Sequence, residues 1–468
     1  MDEKPTSGSA RAVRCPSTAQ RAATYRRVVS QEEPYEGSAV GAVTYSYDLL
    51  NRVTQMQRPT SATDNTPATW TYQYNGLSEV VTDPDSDSRT MEWDPNGQLR
   101  RTTDDLGYAV TLGYDAAGDE NDVTDNDGDT LWTGTYVDGV RPFLAGETSM
   151  DRGSWGFTVD ALGERTAWTD AKGQQFSESY DALSRPETLS EPDLFTEWTW
   201  GSSASAHNIG KLAAVCTGTG ANPGACMSSG ESQAWVYDAD GRLSTRTITL
   251  PNTNPFTYTW QYNPTTGQLS SLTYPATASG EALTLQYGYA YGYLQSITDT
   301  LDSPNIVVWT ANQMNPDMQI TQDTLGNGIV TSRSYDAVTH LLTTVQSGVG
   351  GGTAVQNQSF LYDPIGNLTQ RQDNNLGLTE NFYYDGDNRL SYSMLNGTRN
   401  LTMTYDAMGD ITSRSDISNG ATWTYDPAHK NQVTEAGSSA YQYAYDANGN
   451  VTSWMGNAVT WTSYNYPR

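Results

Sequence analysis

An aromatic residue followed by Asp or Asn recurs along most of the chain, and residues that favour turns follow each copy. Most neighbouring copies are about 19–27 residues apart, a spacing that is typical of repeat arrays. The pairs are Tyr47-Asp48, Tyr74-Asn75, Trp93-Asp94, Tyr114-Asp115, Tyr180-Asp181, Tyr237-Asp238, Tyr262-Asn263, Tyr335-Asp336, Tyr362-Asp363, Tyr384-Asp385, Tyr405-Asp406, Tyr425-Asp426, Tyr445-Asp446 and Tyr464-Asn465. The period therefore predicts one repeated supersecondary unit over most of the sequence.

The repeated unit reads Y-D-x-x-G-x-[LVI]-[TS], as in YDPIGNLT at 362–369 and YDANGNVT at 445–452. An Asp side chain accepts backbone N–H bonds two residues on and so starts a turn. Glycine stands where the backbone needs a positive φ, and Asn51 and Asn388 replace it as the next most tolerant residue. Each pair thus predicts a tight turn followed by a new strand.

The residues before each pair alternate with period two, which predicts a strand with one aromatic face and one face of Thr, Ser and Gln. A second turn of the same type closes the other end of many units, at Asp104…Gly107, Asp125…Gly128, Asp170…Gly173 and Asp323…Gly326. Each repeat is then a hairpin, and the chain is an all-β array of antiparallel β-hairpins in one long meander. Open twisted sheets rarely exceed about ten strands, so we expect the meander to spiral into a hollow or partly open shell.

The composition fits this architecture. The chain has 30 Tyr and 13 Trp but only 7 Phe, so its aromatic residues carry a polar group, as in strands with one wet face. The formal net charge of −28 argues against nucleic-acid binding. Many of the acidic residues are turn formers, which makes the charge largely a by-product of the repeat.

The sequences YDPIGNLT, YDAMGDIT and YDANGNVT resemble the tyrosine–aspartate repeats of the Rhs/YD-repeat family, which includes bacterial polymorphic toxins, the insecticidal toxin complex C component and the teneurins. The resemblance covers roughly residues 41–466. It implies a β-ribbon spiralling into a shell, which in toxin members encloses a polypeptide from the C-terminal end of the same chain. No core-end cleavage segment is recognisable, and the sequence stops within a repeat, so we expect a fragment or an incomplete shell.

The domain organisation follows from the repeat. Residues 1–40 lack apolar periodicity and are expected to be a disordered or truncated leader, residues 41–468 form the repeat array, and a Gly/Ser-rich loop is inserted at 201–232. Cys216 and Cys226 bracket a turn-rich stretch in this loop, and we predict a disulfide between them rather than free thiols. The disulfide favours an exported protein. Cys15 is left over in the leader.

Three groups of side chains are candidates for chemical sites. His207, His340 and His429 are expected in turns or in the insertion, where they organise no triad or metal site. Asp125, Asp127 and Asp129 alternate like calcium ligands, but they stand in register with the other turns and are expected to form a solvated turn. Glu92, Glu178 and Glu197 interrupt the strand pattern, and sequence alone shows no convergence of these carboxylates.

The predicted function is a non-catalytic YD-repeat scaffold, part of an Rhs-type shell that encloses or displays a toxin or another polypeptide. It needs no cofactor and no metal, and its partners are polypeptide cargo or further repeats of the same parent protein. The location is secreted or at the cell surface, without membrane insertion. Two alternatives remain: an adhesin that binds glycans or a partner through aromatic ladders, and a glycan-active or self-cleaving enzyme.

Overall fold

The computed structural model of the chain describes residues 20–21, 27–32, 41–61, 66–137, 143–219, 230–301 and 304–468. Within these ranges, every regular element is a β-strand except a short 3-10 helix at Ser418–Gly420. No helix in the described ranges has both the length and the apolar character to cross a membrane.

The strands are numbered in chain order. The first part of the chain contains β1 Gln20–Arg21, β2 Val28–Glu32, β3 Ala42–Tyr47, β4 Val53–Pro59, β5 Pro67–Asn75, β6 Ser78–Thr82, β7 Ser88–Trp93, β8 Leu99–Thr103, β9 Ala109–Tyr114, β10 Glu120–Thr124, β11 Thr130–Val137, β12 Phe143–Ser149, β13 Gly153–Val159, β14 Arg165–Thr169, β15 Gln175–Tyr180, β16 Pro186–Ser190, β17 Leu194–Trp200, β18 Leu212–Thr219 and β19 Ser232–Tyr237. The second part contains β20 Leu243–Thr249, β21 Phe256–Tyr262, β22 Leu269–Thr273, β23 Thr284–Ala290, β24 Tyr293–Asp299, β25 Ile306–Met314, β26 Ile320–Leu325, β27 Ile329–Tyr335, β28 Leu342–Val349, β29 Gln356–Tyr362, β30 Leu368–Asp373, β31 Leu378–Tyr384, β32 Leu390–Leu395, β33 Thr398–Tyr405, β34 Ile411–Arg414, β35 Thr424–Tyr425, β36 Val433–Glu435, β37 Tyr443–Tyr445, β38 Val451–Trp454 and β39 Asn457–Ala458.

The chain divides into two compact units. The first unit consists of residues 1–109 and 309–403, and the second of residues 110–308 and 404–468. In the first unit, each strand from β1 to β8 for which a pairing is described lies antiparallel to the strand that follows it. Strands β25 to β33 continue the same pattern.

The second unit repeats this arrangement. Its strands β9 to β24 form an antiparallel meander, and the last segment adds the short hairpins β35–β36 and β37–β38–β39. The predicted fold class, an all-β array of antiparallel hairpins in a meander, is therefore confirmed.

A bulged turn joins the two strands of each repeat. In the hairpin β19–β20, the Gly241 amide donates to the Asp238 carbonyl at 2.9 Å, and the Asp238 amide donates to the Arg242 carbonyl at 2.9 Å. Gly241 has a φ of 75°, and the pairing register shifts between Val236 and Tyr237. This is a type I turn closed by a residue in the left-handed region and a β-bulge.

Few of the described side chains in either unit are fully buried. The buried apolar residues of the described chain are mostly small or isolated, such as Ala68, Ala109, Val338 and Phe176. No large side chain among the described residues is less than 2% exposed. With so few fully enclosed side chains among the described residues, cross-strand pairs and turns contribute much of the stability.

Two turns differ from the expected pattern. Asp323 does not start a turn: it is a buried residue of β26 that pairs with Arg333, and the turn lies at Leu325–Gly328 with Gly328 at a φ of 82°. The later Asn-Gly dipeptide provides the residue with positive φ. His429 occupies a wider turn, in which the Asp426 amide donates to the Gln432 carbonyl at 2.9 Å.

The margins of the repeat array also carry strands. β2 lies within residues 1–40 and pairs with β3, and the rest of that segment is mostly outside the described residues. β18 occupies part of the predicted insertion and pairs with β17 and β19, whereas residues 220–229 lie outside the described ranges.

Candidate functional site

The tyrosines of the repeat signature end strands, and the aspartates start the turns that follow. Tyr47, Tyr114, Tyr180, Tyr237, Tyr335, Tyr362, Tyr384, Tyr405, Tyr425 and Tyr445 are the last residues of β3, β9, β15, β19, β27, β29, β31, β33, β35 and β37. We call the turn after each pair the YD turn, and the turn at the other end of a hairpin the distal turn.

The aromatic residue of a repeat bonds to the backbone of the preceding repeat. The Tyr384 hydroxyl donates to the carbonyl of Leu368, the first residue of the neighbouring strand, at 2.8 Å. The same bond joins Tyr74 to Val53, Tyr136 to Glu120, Tyr180 to Arg165, Trp200 to Pro186, Tyr237 to Leu212, Tyr262 to Leu243, Tyr362 to Leu342, Tyr425 to Ile411, Tyr445 to Val433 and Trp461 to Val451. We call this bond the aromatic lock.

The aromatic lock explains why the chain uses Tyr and Trp where Phe would serve for packing alone. In the repeat of Tyr384 the acceptor carbonyl of Leu368 follows the YD turn at Asp363, so the lock ties one YD turn to the next. Burial raises the pKa of the phenols of Tyr237, Tyr362 and Tyr384 above the usual range. These hydroxyls are therefore protonated donors at all physiological pH values.

The aspartate of the pair holds the turn from inside. Asp238 Oδ1 accepts the backbone N–H groups of Asp240 at 3.0 Å and of Arg242 at 2.8 Å. The equivalent two bonds are made by Asp48, Asp94, Asp115, Asp160, Asp181, Asp385 and Asp446. The carboxylate is thereby a structural acceptor with one oxygen committed to the backbone.

The residue four positions after the aspartate decides what its second oxygen meets. Arg242 pairs with Asp238 Oδ2 at 2.7 Å, and its guanidinium lies 4.4 Å from the ring centre of Tyr262 in the next repeat. Arg52 and Arg185 do the same, lying over Tyr74 and Trp200. For Asp181, the hydrogen bond from Arg185 holds the pKa of the carboxyl below its usual range.

Some turns carry a second carboxylate at this position instead. Asp410 lies four residues after Asp406, and burial together with the charges of Asp406 and Asp151 raises its pKa to about 6. Asp87 lies four residues after Asp83, and its pKa is also raised to about 6, by burial and by the surrounding acids. Such turns hold uncompensated charge at neutral pH.

The first unit consists of an early segment within residues 1–109 and a late segment, residues 309–403. Distal turns of the early segment meet YD turns of the late segment. Arg58 donates to the Pro364 carbonyl at 3.1 Å, across 306 residues of sequence. Asp83, Asp87, Asp104, Asp105 and Asp387 line a cavity of about 270 Å³. The two segments therefore meet along a turn-to-turn seam that is rich in carboxylates.

The second unit has a seam of the same kind, with more specific bonds. The buried Asn448 side chain donates to Asp170 Oδ2 at 2.7 Å and accepts the Lys172 amide at 3.2 Å. Gln432 donates to the Asp151 carbonyl at 2.8 Å, across 281 residues of sequence, and Lys172 pairs with Asp446 at 3.2 Å. Lys430 pairs with Asp129, and Asp193 contacts Ser463 and Arg468.

The glutamates singled out from the sequence have different surroundings in their strands. A carboxylate oxygen of Glu178 lies 3.9 Å from the Arg165 guanidinium. Burial, and next the hydrogen bond and charge of Glu178, raise the pKa of Tyr180 to about 12. Glu197 points to the opposite sheet face, because it pairs with Thr188 whereas Glu178 pairs with Leu189. Glu92 is an exposed residue of β7 opposite Ser78 and Arg101.

The cysteine and histidine predictions have different outcomes. Cys216 of β18 is disulfide-bonded. Its predicted partner Cys226, and Cys15, lie outside the described residues, so the pairing stays a prediction. His340 has a φ of 59° and its Nδ1 lies 2.7 Å from Asp317 Oδ2, and His429 Nδ1 lies 3.2 Å from Asp426 Oδ1.

The acidic turn at 125–129 is a closer cluster than its sequence register suggested. One carboxylate oxygen from each of Asp125, Asp127 and Asp129 lies within 4.8 Å of the other two. Within the described part of the chain, no other group of three or more acidic, histidine or cysteine side chains has this geometry.

The aromatic locks, the aspartate-held turns and the turn-to-turn seams define a β-hairpin repeat scaffold. Residues 93–130 match the sequence profile of a family described as RHS Repeat. No curated protein sequence matches the chain significantly. This match supports the resemblance to the Rhs/YD-repeat family that the sequence predicts.

Solved structures share its fold. The crystal structure of TcdB2–TccC3 matches with a TM-score of 0.77 at 15% identity, covering 96% of this chain and 26% of that chain. A Tc holotoxin pore of Photorhabdus luminescens carrying a TccC3 mutation matches with a TM-score of 0.76 at 14% identity, covering 97% and 26%. TcdB2–TccC3 without its hypervariable C-terminal region gives the same values. The chain thus spans about a quarter of the length of the chains it matches.

Proposed function

We propose that the chain is a non-catalytic YD-repeat scaffold that forms part of a β-shell around a polypeptide. The observation that carries the proposal is the shared fold with TcdB2–TccC3 over 96% of the chain. Since the chain spans 26% of the matched chain, a closed shell would need further residues, from the same parent protein or from a partner.

The distribution of contacts supports a scaffold. The recurring side-chain bonds are directed at the backbone of the next repeat or at the facing turn, as with Tyr384 and Asn448. The acids considered as catalytic candidates are separated, with Glu178 and Glu197 on opposite sheet faces. The recurring side-chain bonds of the described repeats therefore hold the ribbon together.

The incomplete burial of the strand residues supports a polypeptide partner. Most strand residues are half-buried, which leaves both sheet faces accessible to another chain. We propose that this partner is a polypeptide of the same toxin-like complex, and that the protein works outside the cytosol. The disulfide at Cys216 favours the second point, because disulfides persist in oxidising compartments.

Protease protection of a passenger tests the proposal. An unfolded passenger polypeptide is fused after Arg468, and its digestion rate is compared with that of the same passenger fused to an unrelated domain. We expect digestion to be at least about tenfold slower in the fusion to the repeat chain, since cleavage needs access to the open passenger. Asn448→Ala, which weakens the seam of the second unit, is expected to restore part of the digestion.

Equal digestion rates in both fusions would contradict enclosure by this chain. Binding to a glycan array that is lost on Trp→Ala exchange would instead support an adhesin. Turnover of a polysaccharide would show an enzyme.

A further inference from the structure

We propose that the turn formed by Asp125, Asp127 and Asp129 is a calcium site. Calcium is bound by oxygen ligands at about 2.3–2.6 Å, so two ligands of one ion are at most about 5 Å apart. The three carboxylate oxygens lie within 4.8 Å of one another, so a single ion can contact all three.

This turn combines a buried carboxylate oxygen that lacks a hydrogen-bond partner with two further carboxylates close to it. Asp125 is only 5% exposed. Its Oδ1 accepts the backbone amides of Asp127 at 3.0 Å and Asp129 at 2.7 Å, whereas its Oδ2 is buried without a hydrogen-bond partner among the described residues. Leaving a carboxylate oxygen desolvated and unpaired is unfavourable, and a bound cation would satisfy it.

Several other turns have a side-chain donor to the second oxygen of the aspartate that this turn lacks. The second oxygen of the turn aspartate receives a donor from the residue four positions later in several repeats: Arg52 for Asp48, Arg242 for Asp238, Gln174 for Asp170 and Asn450 for Asp446. At Asp125 that position is Asp129, a further acceptor. The turn therefore has an acceptor, Asp129, where these turns have a donor, and Asp127 adds a further carboxylate.

The charge balance of the turn also favours a divalent cation. Lys430, from the late segment of the second unit, pairs with Asp129 Oδ2. Three carboxylates and one ammonium leave two negative charges, which one Ca²⁺ would neutralise. Asp127 is exposed, which leaves room for the water ligands that complete a calcium coordination shell.

Calorimetric titration of the full chain with CaCl₂, with MgCl₂ for comparison, tests the site. We expect one saturable calcium site with a dissociation constant on the order of 10⁻⁴–10⁻³ M, as in extracellular calcium modules, and weaker magnesium binding. Asp127→Asn should weaken calcium binding at least about tenfold, because it removes one of the three anionic ligands. Since Asp127 is exposed, this variant is expected to fold.

A matched control is available at the same turn position. Asp240 follows Asp238 as Asp127 follows Asp125, and Asp240→Asn should leave the calcium affinity unchanged. Lys430→Met should tighten calcium binding several-fold, since it removes the competing ammonium from Asp129. Absence of saturable binding up to about 10 mM CaCl₂, or equal loss in the Asp127 and Asp240 variants, would overturn the proposal.

Discussion

Replacing Tyr384 by Phe removes one hydroxyl and keeps the ring, so it isolates the aromatic lock from aromatic packing. The hydroxyl donates to the Leu368 carbonyl at 2.8 Å in partly buried surroundings, and this burial raises the pKa of the phenol. A neutral hydrogen bond of this kind contributes about 1 kcal/mol net. For a cooperative unit of roughly 200 residues, this loss lowers Tm by about 2–4 °C.

The neighbouring residue provides the control. Tyr383 points to the opposite face of β31, where its ring stacks on Tyr392 at 4.2 Å between centroids. Tyr383→Phe preserves this stacking and is expected to leave Tm unchanged. Both variants are measured by thermal and urea unfolding, with hydrogen exchange to localise the effect to β30 and β31. An unchanged Tm in Tyr384→Phe, or an equal loss in Tyr383→Phe, would refute the reasoning.

Three further predictions concern the turns and the seam. Asp410→Asn is expected to stabilise the protein at pH 7.5. The full shift of the Asp410 pKa from 3.8 to about 6 would correspond to about 3 kcal/mol, and solvent screening of this partly exposed group reduces it to about 1 kcal/mol. Because the folded pKa is raised, the wild-type stability that depends on this proton is present below about pH 4 and is lost as the pH rises to about 6, so urea titrations at pH 4 and 7.5 should differ less in the variant. Arg242→Lys is expected to cost about 0.5–1 kcal/mol in urea unfolding, since Lys cannot both pair with Asp238 and stack on Tyr262 as the planar guanidinium does, and an unchanged midpoint would contradict this role. Asn448→Ala is expected to cost about 1–3 kcal/mol, because it removes one of the two side-chain donors to Oδ2 of the buried Asp170 carboxylate, the other being Gln174. Faster hydrogen exchange confined to 404–468 and 150–175 is the expected signature, and a uniform change across the chain would count against the seam.

The sequence predicts the hairpins well because their determinants are local. Asp238, Gly241 and the alternating strand before Tyr237 lie within a few residues of one another, and each has one conformational preference. The same local reasoning fails at Asp323, where an Asp-x-x-Gly spacing lies next to an Asn-Gly turn. The turn forms at Leu325–Gly328, and Asp323 stays in the strand to pair with Arg333.

The seam contacts could not be predicted in the same way. Asn448 and Asp170 are 278 residues apart in sequence, and the turns that contain them resemble every other turn of the array. Register between distant turns depends on the accumulated twist of many strands, which no single motif encodes. The partner of the Tyr384 hydroxyl is likewise a backbone carbonyl, so the side-chain pattern does not identify it.

Zero-length carbodiimide cross-linking with mass spectrometry tests most directly the central claim, that the repeats form a scaffold whose distant turns stack. In the second unit, Lys172 pairs with Asp446 at 3.2 Å, and Lys430 pairs with Asp129, 301 residues away in sequence. The account predicts isopeptide links between Lys172 and Asp446 and between Lys430 and Asp129 in the monomer. Cross-links confined to neighbouring repeats, with neither of these two pairs present, would contradict it.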